Sequence, residues 1–180
     1  MVNHLQAIFK DDNVAIACIY CNYKEQAEQT ASNLVASLLK QMVYNHFTIS
    51  DHVKSLYECH IEQNTFPSLD DFAKAFKSEI RMYSKVFIVV DALDECREDD
   101  GTRANLLRVL RSLGVNLMVT SRDLVSIARD FQETKRLDIH ANDQDVRRYI
   151  EGRIARAPRR HLKALQESIV KTIVENVRGM

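Results

Sequence analysis

The segment 85–96, KVFIVVDALDEC, constrains the fold more than any other part of the chain. Its apolar run, 86–90, is made of β-branched and aromatic residues and is followed by the carboxylates of Asp91, Asp94 and Glu95. A short run of this kind is typical of a strand buried on both faces, and such strands belong to parallel α/β sheets. These sheets bind ligands just beyond the carboxyl ends of their strands. The segment therefore predicts a parallel α/β sheet with acidic groups at its ligand-binding edge.

The rest of the chain alternates between strand-like and helix-like patterns. Residues 14–20 and 115–120 predict further buried strands, and residues 134–139, TKRLDI, alternate polar and apolar side chains as a half-exposed strand does. This alternation favours parallel βαβ units with right-handed crossovers. We therefore expect an α/β fold, a parallel sheet of about four strands flanked by helices. The helices are expected over residues 2–10, 25–44, 51–63, 68–80, 102–113, 123–131, 144–157 and 158–177.

Capping residues predict several of the helix ends. Asp51 is expected to cap the helix 51–63, and Ser68, followed three residues later by Asp71, predicts the start of the next helix. Gly114 is expected to end the helix 102–113, since glycine is the usual residue just past a helix. For the helix near 144, the predicted cap is Asn142 or Asp143.

The composition excludes several classes of function. The 25 basic and 25 acidic residues give a formal net charge of zero, which leaves no electrostatic footprint for nucleic acid or an anionic membrane. The apolar runs are too short to span a bilayer, and the N-terminal MVNHLQAIFK lacks the apolar core of a signal peptide. The four cysteines do not form a dense framework, which favours a reducing compartment. We expect a cytoplasmic protein without a nucleic-acid or membrane partner.

Two motifs at strand ends carry a family resemblance. VVDALDEC, at 89–96, is followed about one strand later by LMVTSRD, at 117–123. With these motifs the chain resembles the NACHT-type signalling NTPases, specifically the nephrocystin-3-like N-terminal domain of fungal STAND-type receptors. The resemblance implies a fold derived from the P-loop NTPases, with a truncated NACHT core over 1–157. It also implies that 158–180 begins a helical or winged-helix region.

The acidic group would be the Walker B element of such a protein. The resemblance implies that Asp91 holds Mg²⁺ and that Glu95 or Asp94 activates water for hydrolysis of ATP or GTP. Three carboxylates this close together repel one another, so a cation or a basic neighbour is expected beside them. The alternative is that these acids only cap the loop that follows the strand.

The second motif, Thr120-Ser121-Arg122, would be the sensor 1 element. Polar groups and a forked guanidinium at the tip of a neighbouring strand suit contact with the terminal phosphate of the nucleotide. The alternative is that Arg122 forms an ordinary salt bridge with Asp91, Asp94 or Glu95. Both descriptions can hold for the same side chain.

The sequence does not contain the phosphate-binding loop of this family. It has no G-x-x-x-x-G-K-S/T, and Lys10 follows the first predicted helix instead of preceding it. Phosphate binding in this fold depends on backbone N–H groups at a helix N-terminus and on one lysine. The resemblance implies that the strand carrying the loop, between those matching 115–120 and 134–139, is missing too. We therefore expect weak or no nucleotide affinity for this chain, and marginal solubility from unpaired apolar strand edges.

Cysteine and histidine residues supply weaker candidates. Cys18 and Cys21 could serve a redox or metal role, but residues three apart on a strand point to opposite faces, so buried free thiols are the simpler interpretation. Cys59, His60 and His52 lack the second pair that a zinc signature needs. The arginine-rich stretch 147–160 has no interleaved aromatic residues, which favours a solvated helix pair over a nucleic-acid face.

Three hypotheses of function follow. The first is a truncated nucleotide-binding module of a STAND-type NTPase, with Walker B and sensor 1 but no Walker A motif, and with weak or no activity alone. The second is a non-catalytic interaction fragment that self-associates, or binds intact NACHT relatives, through an exposed sheet edge. The third is a truncation product with no role of its own.

Overall fold

The structure, a computed structural model, describes residues 2–10, 13–44, 49–139, 142–156 and 165–177. The chain divides into two compact units, Met1–Gln132 and Glu133–Met180. The predicted division into 1–157 and 158–180 stays a prediction, because the segment 157–164, where its boundary falls, lies outside the described residues.

The first unit is built on a three-stranded parallel sheet. Strand β1 is Val14–Tyr20, β2 is Lys85–Asp91 and β3 is Asn116–Val119, in the spatial order β1-β2-β3. All three strands lie within one or two residues of their predicted positions. The α/β fold with a parallel sheet flanked by helices is therefore confirmed, with three strands in the described residues.

Helices connect and follow these strands. Short 3₁₀ helices at Tyr23–Glu25 and Leu93–Glu95 come directly after β1 and β2. Gly114 adopts φ +66° just past the helix before β3, as predicted for a glycine that ends a helix. The α-helices of this unit are α1 (Val2–Ile8), α2 (Ala31–Tyr44), α3 (Asp51–Glu62), α4 (Leu69–Ile80), α5 (Thr102–Ser112) and α6 (Val125–Asp130).

The predicted start of α2 at residue 25 is wrong. Glu25 belongs to the first 3₁₀ helix, where the side chain of Asn22 accepts a hydrogen bond from the Lys24 N–H at 3.1 Å. The hydroxyl of Thr30 accepts from the Asn33 N–H at 3.2 Å and so marks the beginning of the α-helix. Apolar spacing alone did not distinguish the 3₁₀ turn from the helix that follows it.

Serine side chains cap α3 and α4. Ser50, and not Asp51 as predicted, is the cap of α3, because its hydroxyl accepts from the Val53 N–H at 3.4 Å. The predicted start of α4 is confirmed as a capping box: Ser68 Oγ accepts from the Asp71 N–H at 3.3 Å, and the Asp71 carboxylate accepts from the Ser68 N–H at 3.1 Å.

The core of this unit lies between the sheet and the helices. Val86, Ile88 and Val90 of β2 share one face of the sheet and are at most 4% exposed, and Val89 on the opposite face is 6% exposed, as expected for a strand covered on both faces. Phe76 of α4 is fully buried, which stabilises the fold by about 1.5–3 kcal/mol relative to an exposed ring. The apolar face of α2 consists of Ala31, Leu34, Val35, Leu38, Leu39 and Met42.

The two outer edges of the sheet differ. Gln41 of α2 covers the edge of β1, since its Oε1 accepts from the Cys18 N–H at 2.9 Å and its Nε2 donates to the Cys18 carbonyl at 2.8 Å. Gln29 continues this cover by donating to the Tyr20 carbonyl at 3.1 Å. On β3 the described residues supply a strand neighbour on one side only, namely β2. Side-chain amides therefore cover the β1 edge, whereas the described ranges place no strand along the outer edge of β3.

The strand predicted over 134–139 is wrong. These residues form no strand, and Leu137 and Ile139 are 83% and 84% exposed. Arg136 Nε instead donates to Asp138 Oδ1 at 2.6 Å within the segment. Alternating apolar residues stabilise a strand only when a neighbouring strand pairs with its backbone and an apolar surface packs against its side chains. The described part of the chain provides neither for residues 134–139.

The second unit contains two helices in its described ranges, α7 (Asp143–Arg156) and α8 (Gln166–Val177). Asn142 caps α7, because its Oδ1 accepts from the Gln144 N–H at 2.8 Å. The predicted helix start at Pro158 lies outside the described residues. The core of this unit is formed by Ile150, Ile154, Val170 and Val174. In the described ranges, no helix has the length and apolarity needed to cross a bilayer.

Candidate functional site

The carboxyl ends of β2 and β3 bring the two predicted motifs together. Val90 and Val119 are register partners in these parallel strands, so Asp91 and Thr120 follow side by side. The Thr120 N–H donates to the Val90 carbonyl at 2.9 Å and continues the ladder by one residue. The strand pairing itself thus places the first acid next to the first polar residue of the second motif.

Thr120 holds the turn after β2 through three further hydrogen bonds. Its hydroxyl donates to Asp91 Oδ1 and accepts from the Ala92 N–H at 3.0 Å, and its carbonyl accepts from the Leu93 N–H at 2.9 Å. Ala92 adopts the left-handed conformation, with φ +54° and ψ +49°, which costs a non-glycine residue about 1–2 kcal/mol. The contacts with Thr120 offset this strain and fix the direction of the Asp91 carboxylate.

Arg122 pairs with Asp94 across the same edge. The Arg122 N–H lies 3.1 Å from Asp94 Oδ1, and Arg122 Nε lies 2.5 Å from Asp94 Oδ2. The Asp94 side chain is 4% exposed, whereas that of Arg122 is 77% exposed. Burial alone would raise the pKa of Asp94, but the hydrogen bonds and charge of Arg122 lower it, and the same contact raises the pKa of Arg122. Arg122 is thus the basic neighbour that the carboxylates were expected to need.

Glu95 contacts a different part of the sheet edge. Its Oε2 accepts from the Tyr23 N–H at 3.1 Å, and its carbonyl accepts from Gln26 Nε2 at 2.8 Å. Tyr23 and Gln26 follow β1, whereas the partners of Asp91 and Asp94 follow β3. Each of the three carboxylates therefore has its own donor, which reduces their mutual repulsion.

Ser121 forms its hydrogen bond with the backbone and not with one of the three acids. Its hydroxyl donates to the carbonyl of Arg122 at 2.9 Å. The structure therefore brings Asp91 and Asp94 together with Thr120 and Arg122, and it gives Ser121 a local backbone contact. The predicted roles of all these residues in metal binding, phosphate binding or catalysis stay predictions.

The oxygen ligands available at Asp91 suit a cation that takes only part of its coordination shell from the protein. No group of three or more His, Cys, Asp or Glu side chains within the described ranges is arranged to hold a metal ion. Mg²⁺ needs no such cage, because it takes one or two carboxylates and completes its shell with waters and substrate phosphates. Asp91, half-buried and directed by the Thr120 hydroxyl, supplies a ligand of that kind.

A pair of buried cysteines beside the site was missed by sequence reasoning. Cys21 follows β1 and Cys96 follows the 3₁₀ helix after β2, and both side chains are buried. Interaction with Cys96 and burial raise the pKa of Cys21, while interaction with Cys21 and the charge of Arg103 lower the pKa of Cys96 against the effect of burial. The available signal was that each cysteine lies shortly after a predicted strand, but only the strand order shows that these strands are neighbours.

The other candidate residues are engaged elsewhere. His60 Nδ1 lies 2.7 Å from Thr65 Oγ1, and its Nε2 lies 3.9 Å from Asp71 Oδ2. In the described part of the arginine-rich stretch, Arg148 lies 3.9 Å from Asp145 on exposed helix surface. Arg159 and Arg160 lie outside the described residues.

The parallel sheet with polar groups at the carboxyl ends of adjacent strands defines an α/β protein whose architecture is consistent with a P-loop NTPase-like fold. The family model for nephrocystin 3, N-terminal, matches residues 1–122, which is more than half of the chain and includes VVDALDEC and Thr120-Ser121-Arg122. The chain belongs to this nephrocystin 3 N-terminal family. No curated protein and no solved structure matches it.

Proposed function

We propose that this chain is a nucleotide-binding module of a STAND-type signalling NTPase, and that ATP or GTP binds with Mg²⁺ at the ends of β2 and β3. The observation that carries the proposal is the contact between the Asp91 carboxylate and the Thr120 hydroxyl. It joins an acid and a sensor-like residue at the carboxyl ends of adjacent parallel strands, which is where sheets of this class bind ligands.

Asp91 is the proposed Mg²⁺ ligand. When bound, Mg²⁺ neutralises charge on the phosphate oxygens of the nucleotide. The chain's own part is to present one carboxylate in a fixed direction. The Thr120 hydroxyl supplies that direction by donating to Asp91 and accepting from the Ala92 N–H.

Arg122 is the proposed phosphate sensor. In the described state its guanidinium is bound to Asp94, yet most of its side chain is exposed and within reach of a ligand. A terminal phosphate would compete with Asp94 for the guanidinium, because both offer paired oxygens to its fork. Glu95, and Asp94 once released, would then orient the attacking water. If Arg122 exchanged the Asp94 carboxylate for the terminal phosphate, the position of the loop after β3 would depend on whether nucleotide is bound.

Affinity is proposed to be weak in this chain. The printed sequence contains no phosphate-binding glycine loop with its lysine, and these groups supply most contacts to the β- and γ-phosphates in this fold. We therefore expect dissociation constants on the order of 0.1–1 mM for Mg-ATP or Mg-GTP.

Calorimetric titration tests the proposal. The wild type, Asp91→Asn and Arg122→Gln are titrated with each nucleotide, with and without Mg²⁺. Asp99→Asn is the matched control, because Asp99 is an exposed loop carboxylate that lies 3.5 Å from Arg97. Wild type and control should bind weakly in the presence of Mg²⁺, and Asp91→Asn should bind at least about tenfold more weakly. Equal binding by wild type and Asp91→Asn would refute the assignment.

A second function, as a non-catalytic interaction fragment, is supported by the open edge of β3. The backbone N–H of Thr120 points toward β2. Because successive residues of a strand direct their N–H and C=O groups to opposite sides, those of Leu117 and Val119 point away from β2. The described residues place no strand beside them. We propose that a strand of a second copy, or of an intact NACHT relative, adds here by edge pairing. Self-association that is unaffected by nucleotide would favour this function over the first.

A further inference from the structure

The outer edge of β3 presents main-chain groups that no described residue pairs with. Thr120 donates its N–H to the Val90 carbonyl of β2 at 2.9 Å, and Met118, two residues earlier, faces the same way. Leu117 and Val119 direct their N–H and C=O groups to the other side, where the described ranges supply no hydrogen bond. Two donors and two acceptors at two-residue spacing are the pattern that a further strand satisfies.

The helix that follows β3 is held beside α5. Arg103 Nη2 donates to Ser126 Oγ at 3.1 Å, and Arg111 Nη2 donates to the Asp130 carbonyl at 2.5 Å. Ile127, between these two positions, is 5% exposed and belongs to the main hydrophobic core. These contacts bind α6 to α5, so α6 does not supply partners for the outward groups of β3.

A second copy of the same strand fits this edge. Its residues Leu117, Met118 and Val119 are apolar, and the strand has none of the lysines or prolines that protect natural edge strands from pairing. A copy of β3 therefore brings no like charge against the first. The 25 basic and 25 acidic residues of the whole chain also balance, which leaves little repulsion between two copies.

We infer that two copies of the chain pair antiparallel through β3, with a two-fold axis at Met118. Leu117 of one copy and the partner's Val119 then exchange two N–H···O bonds, and the reciprocal pair exchanges two more. Every outward group of the strand is used in this register. An axis at Leu117 or at Val119 would instead pair one outward residue with a position beyond the strand. The result is one continuous sheet made from two three-stranded sheets.

Met118 gives this contact an apolar centre. Its register partner is Val89, so its side chain lies on the same face of the sheet as Val89 and Phe87. On that face Phe9 stacks on Phe87 with ring centroids 5.3 Å apart, whereas Met118 is 37% exposed. Directly opposed residues of the non-hydrogen-bonded kind have Cα atoms about 4.5 Å apart. The two Met118 side chains would therefore bury each other at the axis.

This pairing rests on the interaction function proposed for the same edge, and it names a second copy as the partner. Cysteine cross-linking of the full chain tests it. Met118→Cys is placed in a Cys59→Ser background, because Cys59 is the exposed native cysteine. Oxidation with copper phenanthroline should give a band at twice the mass of the chain, since the opposed Cα atoms have the spacing of a disulfide. Dithiothreitol should remove the band, and the Cys59→Ser parent should not form it.

Asn116→Cys in the same background is the matched control, on the same strand and the same face. Residue 116 would lie opposite the partner's Thr120, which separates the two copies of residue 116 by four residue steps, or about 13–14 Å. That distance is too long for a disulfide. Cross-linking of Met118→Cys alone is the expected result. Equal cross-linking of both variants, or cross-linking of Asn116→Cys alone, would overturn the antiparallel register.

Sedimentation velocity of the Cys59→Ser parent separates the register from self-association itself. A parent that dimerises while Met118→Cys forms no cross-link overturns the pairing at Met118 and leaves self-association in place. A parent that stays monomeric, with no cross-link in either variant, overturns both. Because no nucleotide is added, the outcome for nucleotide binding does not affect these measurements.

Discussion

Arg122 donates to the carboxylate of Asp94 twice, from its main-chain N–H at 3.1 Å and from Nε at 2.5 Å. The pair connects the 3₁₀ helix after β2 to the loop after β3. Because the main-chain bond does not involve the guanidinium, movement of the Arg122 side chain alone would leave Asp94 with one donor. The pair is therefore suited to holding the loop in place while its guanidinium changes partners.

Acid should weaken the fold partly through Asp94. Its folded-state pKa is lowered, so its contribution to stability is fully present above the unfolded-state pKa, near 4, and is lost as the pH falls through the lower folded value. Urea unfolding from about pH 5 to pH 2 should show a smaller loss of unfolding free energy for Asp94→Asn than for the wild type. The control Asp99→Asn should follow the wild type. Parallel curves for wild type and Asp94→Asn would show that the ion pair does not contribute.

The hydroxyl of Thr120 should be necessary for stability. Thr120→Val keeps the shape but removes the donor to Asp91 and the acceptor for the Ala92 N–H, so the free energy of unfolding should fall by about 1–3 kcal/mol. Thr120→Ser keeps the hydroxyl and should lose clearly less. Chemical denaturation of the three proteins measures the difference. If valine and serine were equally tolerated, the hydroxyl would not be what holds the turn.

Glycine should be accepted at residue 92. Ala92→Gly relieves the left-handed strain but makes the unfolded chain more flexible, so the unfolding free energy should change by less than about 1 kcal/mol in either direction. The matched control is Ala36→Gly in the interior of α2, which should destabilise by about 1 kcal/mol. A larger loss at residue 92 than at residue 36 would contradict the description of the turn.

The open edge of β3 should drive self-association. Met118, 37% exposed on this strand, can be replaced by lysine, a residue that natural edge strands use against unwanted pairing. Met118→Lys should shift sedimentation-velocity profiles toward monomer, whereas Met82→Lys, at an exposed position outside the sheet, should leave them unchanged. Equal association of both variants and the wild type would place the contact elsewhere.

Much of the fold follows from local patterns. The run 86–90 and the run 14–20 are too apolar and too short for anything but buried strands, and both formed as expected. The pairing of Ser68 with Asp71 marked a helix start because each side chain bonds the backbone of the other, within one turn. By contrast, the alternation in 134–139 was misleading, because a strand also needs a neighbouring backbone, which a local pattern cannot report.

The site was predictable in its location but only partly in its contacts. Parallel strands place Asp91 and Thr120 together once their adjacency is known, and both positions follow from the sequence. The sequence also predicted a salt bridge of Arg122 with Asp91, Asp94 or Glu95, but the choice of Asp94, and of the Tyr23 N–H for Glu95, depends on the left-handed turn at Ala92, which nothing in the sequence indicates. The cover of β1 by Gln41 similarly arises from tertiary packing between residues far apart in the chain.

Paramagnetic NMR with Mn²⁺ in place of Mg²⁺ tests the proposed site most directly. In the presence of ATP or GTP at millimolar concentration, Mn²⁺ should broaden the amide signals of Asp91 and Ala92, and of Thr120 on the neighbouring strand. The broadening should disappear in Asp91→Asn, and the Asp99→Asn control should retain it. Broadening confined to other acidic positions, or none at the ends of β2 and β3 with nucleotide present, would contradict the assignment of this edge as a metal–nucleotide site.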